Sequence, residues 1–156
     1  MVLLIEREQA PVKGKKRSVI FCSMLLIWVV AGVAFAADKK EHTAYEEALL
    51  SYINQYRMQQ GLHQLSFDRL LNELAKTHSQ QMHSVYTLDH NNFDDRFKQC
   101  GRKLCVENVG WNFMTPQDQF QAWKKSVRHN ENMLNKWINH AGISRIGSYV
   151  TFFACD

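Results

Sequence analysis

The stretch Val106-Glu107-Asn108-Val109-Gly110-Trp111-Asn112-Phe113 sets one carboxylate beside a run in which Val109, Trp111 and Phe113 alternate with Gly110, Asn112 and Met114. A period of two predicts a strand with one face on a core. Glu107 lies between Val106 and Val109, and a carboxylate buried there needs a partner.

Working outward, two histidines stand on either side of this stretch: His90 in Leu88-Asp89-His90, and His129 in Trp123-Lys124-Lys125-Ser126-Val127-Arg128-His129-Asn130. No two of the three residues are close enough in sequence for a local metal motif, so the fold must assemble any shared site. Taken singly, His90 reads as well as a solvated loop histidine, and His129 as a core histidine or one at a helix C-terminus. Taken together, two neutral imidazoles can bind a divalent cation such as zinc, while a carboxylate ligates, orients a histidine or activates water. The same trio can equally form a hydrogen-bonded polar network.

The flanking elements follow from spacing. Thr43 and Glu46 form a capping box for a first helix with Leu49, Ile53 and Tyr56 on its inner face and Gly61 as its stop. Ser66 caps a second helix lined by Leu71, Leu74, Ala75, His78 and Met82, which ends before His90. A brief helical turn is expected between Asn91 and Gly101, with Phe93 and Phe97 one turn apart. Thr115-Pro116 starts another helix, whose buried face carries Phe120, Trp123 and Val127 and which places Ser126 and His129 one turn apart. Ile143 to Ile146 and Tyr149 to Cys155 form a hairpin around Gly147-Ser148. Helices, a strand, a helix and a strand pair predict an α+β fold with a small antiparallel sheet covered by helices. The aromatic residues are expected mostly in the core, with a groove wall as the alternative for Trp111 and Trp137.

Residues 1–36 read as an export signal. Lys13, Lys15, Lys16 and Arg17 precede the apolar run Val19 to Val33, and Ala34-Phe35-Ala36 before Ala37 is a cleavage sequence. Ser18 to Ala37 also approaches the roughly 20 residues that span a bilayer, so an uncleaved anchor is the alternative, and the only route by which a membrane enters. Cys22 stands at the start of the apolar run, the wrong end for lipid attachment. The segment carries five Lys or Arg and two Glu, so it accounts for three of the chain's four net positive charges. The remainder is near neutral, which argues against a nucleic-acid footprint or a polybasic membrane patch.

Residues 37–44 form a short lead, and 45–156 suffice for one domain with one core, expected as a monomer. An exported chain permits disulfides. Cys100 and Cys105 are the expected pair, since Gly101-Arg102-Lys103-Leu104 can turn back, with Cys155 free or competing for Cys105. Three scattered thiols without paired spacing disfavour a cysteine metal site, and four residues between Cys100 and Cys105 disfavour a redox pair.

From about Glu46 to Cys155 the chain resembles the CAP superfamily of cysteine-rich secretory, antigen 5 and pathogenesis-related 1 proteins, in particular its short bacterial SCP domains. The resemblance rests on Ile53-Asn54-Gln55-Tyr56-Arg57 with Gly61-Leu62, Leu65-Ser66-Phe67-Asp68, His90-Asn91-Asn92-Phe93-Asp94-Asp95-Arg96, Glu107-Asn108-Val109-Gly110, and Trp123, Ser126, His129, Met133 and Leu134 in order. It implies an α-β-α sandwich with a cleft lined by two histidines and two acidic residues. His90, Glu107 and His129 match three of these positions, and Ser126 takes the fourth. Serine is a poor cation ligand and no base at neutral pH, so a mechanism with two carboxylates is weakened. A site in which His90 and His129 hold zinc or magnesium, with Glu107 as ligand or orienting group, remains open.

Two functions follow as expectations. One is a secreted, periplasmic or envelope-associated binding module for a lipid, glycan, peptide or envelope component. The alternative is a metal-dependent hydrolase, a peptidase or esterase, using the same cleft. A Ser126/His129 hydrolase is disfavoured because a mid-helix serine lacks the strained turn of a nucleophile elbow.

Overall fold

Phe152 and Phe153 are neighbours in sequence, both fully buried, and belong to two different clusters of the core. Adjacent side chains of a strand point to opposite faces, so this strand must be covered on both. A computed structural model describes residues 44–156. The signal segment, Cys22, the lead up to residue 43 and the Thr43 cap lie outside the described residues.

The first helix, α1, spans residues 44–59. There follow β1 (Ser66–Phe67), α2 (Arg69–Val85), α3 (Phe93–Cys100), β2 (Cys105–Trp111), α4 (Pro116–Lys125), α5 (Val127–Met133), β3 (His140–Ile146) and β4 (Tyr149–Cys155). The sheet order is β1-β3-β4-β2. Strands β3, β4 and β2 are antiparallel as expected, and the two-residue β1 adds a parallel edge beside β3. On one face Leu49 and Ile53 of α1, Phe120 and Trp123 of α4 and Met133 of α5 pack with Phe152. On the other, Leu71, Leu74 and Ala75 of α2 and Cys100 of α3 pack with Phe153. The result is an α-β-α sandwich, and each buried Phe contributes about 1.5–3 kcal/mol.

Several elements differ from expectation. Asp68, not Ser66, caps α2: its carboxylate accepts from Leu71 N at 3.1 Å. Ser66 is drawn into β1, where its hydroxyl meets His140 Nδ1 at 2.8 Å. Strand β2 begins earlier, at Cys105, and stops at Trp111, because Asn112 turns to φ 65°. The helix expected to run through His129 breaks at Ser126, whose φ −87°, ψ 121° is extended. The break lets α5 dock on β2, where Asn108 Nδ2 donates to His129 O at 2.9 Å and Asn132 Nδ2 donates to Glu107 O at 3.0 Å. Val127 therefore faces outward, and Trp111 and Trp137 are also exposed.

The disulfide joins Cys105 to Cys155, not Cys100 to Cys105. The two residues are opposite partners at the ends of β2 and β4, so the sheet register brings their side chains together. Cys100, at the end of α3, keeps a free thiol 3.4 Å from Cys105 Sγ and 3.9 Å from Cys155 Sγ.

Candidate functional site

Glu107 lies on the edge strand β2 with its side chain toward α3, and both oxygens are occupied. Arg96 Nε donates to Oε2 and Arg96 Nη2 to Oε1, each at 2.8 Å, in a fork-on-fork pair with both residues buried. The third partner is His90 Nδ1, 2.9 Å from Oε1. A carboxylate oxygen accepts, so His90 Nδ1 is the donor in that contact. The contact fixes the orientation of the half-exposed imidazole.

The loop bearing His90 is held from two sides. Arg96 Nη1 donates to Asn91 O at 2.8 Å, and His78 Nε2, on α2, bonds Asp89 O at 2.9 Å. His78 is buried and also stands 3.6 Å from Glu107 Oε1. Neither Arg96 nor His78 is assigned a role by the sequence reasoning. Arg96 stands inside the His90-to-Arg96 motif, and His78 occupies an inner-face position of α2 where a polar side chain requires a partner. Those were the available signals.

Ser126 and His129 line a groove of about 300 Å³ together with Leu88, Val109, Gly110, Trp111, Phe113, Gln119, Ala122 and Trp123. His90 bonds Glu107 and stands near enough to His129 to act on its charge, while Ser126 and His129 share the groove wall. Burial pulls the His129 pKa below its usual value, and the nearby His90 adds to the effect, so His129 favours the neutral ring. The Trp123 ring lies tilted at 54° to that ring with centroids 6.3 Å apart, and its indole Nε1 donates to Val109 O at 3.0 Å. Ser126 sits at the junction of α4 and α5 rather than in mid-helix. Its ordinary extended backbone is not the strained turn that exposes a nucleophilic serine.

The donor set does not fit a resident zinc or magnesium ion. A zinc site takes three or four protein ligands, whereas both Glu107 oxygens already accept from Arg96, one of them also from His90, and Ser126 is a poor cation ligand. That leaves the free nitrogens of two imidazoles. Among the described residues, the group of three candidate ligands that does converge is Cys100, Cys105 and Cys155, with sulfurs within 4.8 Å of one another. These thiols are scattered in sequence but gathered by the fold. The disulfide occupies two of them.

No helix among the described residues is long and apolar enough to cross a membrane. The model of the cysteine-rich secretory protein family, CAP, matches residues 50–156. An uncharacterized protein of Bacillus subtilis (strain 168), YkwD, is 31% identical over 113 residues, covering 68% of this chain and 44% of that protein. The uncharacterized membrane protein YlbC of the same organism is 27% identical, covering 72% of this chain and 35% of its own length. The chain thus spans less than half of the curated relatives it matches. Its fold superposes with a TM-score of 0.71 on an extracellular SCP-domain protein from Bacillus anthracis str. Ames, at 20% identity, over 75% of this chain and 42% of the other. An outer surface protein from Borrelia burgdorferi gives 0.66 at 20% identity, over 70% of this chain and 90% of the other. With the sandwich, the order of its motifs and the family match over most of its length in agreement, the chain belongs to the cysteine-rich secretory protein (CAP) family.

Proposed function

We propose that this domain is an exported binding module that holds its ligand in the groove beside Trp111, Trp123 and His129, and that it carries out no hydrolysis there. The carrying observation is the state of Glu107. With Arg96 on both oxygens and His90 on one, this buried carboxylate is committed to an ion pair and to orienting an imidazole rather than to taking a proton from water. Serine at position 126 supplies no second carboxylate. Export is supported by the signal-like residues 1–36 and by fold neighbours described as extracellular and outer-surface proteins.

A mostly apolar groove with a few polar groups is the usual form of a ligand site, and an exposed Trp at its lip is the residue type that dominates binding energy. Titration with 1,8-ANS, an anilinonaphthalene sulfonate whose rings report on apolar surface, tests the reading. Saturable binding, weakened roughly tenfold or more by Trp111→Ala, is expected. No saturable binding, or binding indifferent to Trp111, contradicts it.

A further inference from the structure

Gln119 is 1% exposed, yet neither Oε1 nor Nε2 of its carboxamide has a hydrogen-bond partner. The side chain lines the groove, and a Cβ built on Gly110 would overlap its amide. The amide therefore rests on the β2 backbone at a point where only glycine leaves room. Keeping a donor and an acceptor unpaired in a dry place is costly, and a hydrocarbon chain of the same length at this position of α4 would avoid the cost. A polar pair retained in an otherwise apolar groove is what fixes a ligand's orientation.

We propose that the Gln119 carboxamide recognises the backbone of an extended peptide, accepting the N–H and donating to the C=O of one residue whose apolar side chain packs on Trp111 and Phe113. In an extended chain the N–H and C=O of one residue project to the same side, as the donor and acceptor of a carboxamide do. An acyl chain would leave both amide groups unpaired. Rotation about the side-chain torsions, of which the terminal one is soft, swings the amide off Gly110 toward the groove. The inference rests on the groove being the ligand site.

The test uses N-acetylated, C-amidated pentapeptides with a central Leu, Phe or Trp, followed by fluorescence anisotropy, and the matching depsipeptides in which an ester removes the central N–H. Gln119→Met keeps the side-chain length and removes the amide. The expected results are saturable peptide binding, roughly tenfold weaker for Gln119→Met or for the ester on the unaltered domain, and no discrimination between ester and amide by Gln119→Met. The melting temperature of Gln119→Met is expected to rise by about 2–6 °C, because an unpaired buried amide is gone. Equal peptide affinity for Gln119→Met, equal binding of ester and amide, or a fall in melting temperature each overturn the inference. If 1,8-ANS binds in a Trp111-dependent way and no peptide does, the peptide inference fails while the groove reading stands. If neither binds, both fail.

Discussion

Arg96 and Glu107 form a bidentate ion pair, with two 2.8 Å contacts, in which both side chains are almost wholly buried. The pair joins α3 to the edge strand β2, and through Asn91 and His90 it also fixes the loop between α2 and α3. A carboxylate in this position acts on its surroundings by orienting them.

Removing one partner leaves the other charge buried without compensation. Arg96→Met is therefore expected to cost about 3–5 kcal/mol in chemical denaturation. Arg96→Met with Glu107→Leu should recover much of the loss, since paired replacement by apolar residues is often near neutral. A double variant no more stable than the single one would show that the pair itself, rather than charge compensation, holds α3 on β2.

The cysteines give a second test. In Cys155→Ser the Cys100 thiol, 3.4 Å from Cys105 Sγ, should take over the bond, and non-reducing peptide mapping should find Cys100 linked to Cys105. The new loop has four intervening residues, whereas Cys105–Cys155 spans a sequence separation of 50, so it constrains the unfolded chain less. Cys155→Ser should thus fall between the unaltered domain and Cys105→Ser in stability. Two free thiols in Cys155→Ser would contradict this.

His129 predicts a pH dependence. Burial first, and His90 second, depress its folded pKa below the ordinary value of 6.5. As pH falls past about 6.5 the unfolded chain takes up a proton that the folded one refuses, so stability is full above that value and declines through the window down to the folded pKa. Ring-proton NMR should place the His129 midpoint below 6.5, and His129→Gln should flatten this part of the melting-temperature profile. A midpoint above 6.5 would reverse the sign.

Two glycines separate backbone from side-chain crowding. A Cβ on Gly142 would overlap the backbone of Asn72, where α2 lies on β3. Gly142→Ala should therefore cost at least the roughly 1–3 kcal/mol of ordinary overpacking. At Gly110 the overlap is with the movable end of Gln119, so Gly110→Ala should disturb the groove more than the fold. Thermal melts on both variants, with 1,8-ANS titration of the second, check the contrast. Equal destabilisation would refute it.

The architecture was legible because its signals are local. The Thr115-Pro116 start, the Gly147-Ser148 turn and the inner face from Leu71 to Met82 each follow from spacing or backbone preference within a few residues. What the sequence concealed depends on contacts between distant segments. The break at Ser126 goes with the contacts by which Asn108 and Asn132 hold α5 on β2, and Cys105 meets Cys155 because two strands share a register. The candidate site was legible in composition but not in its contacts. His90 meets Glu107 across 17 positions and Arg96 meets it across 11, distances over which only the fold brings side chains together. Gln119 left one faint sign, a polar residue one turn before Trp123 on the buried face of α4.

Binding without catalysis in the groove is tested by measuring, on one set of peptides and esters, both equilibrium binding and turnover, with and without added zinc or magnesium. Saturable binding weakened by Trp111→Ala and no turnover under either condition are expected. Turnover abolished by Glu107→Gln in a variant that remains folded would contradict that expectation.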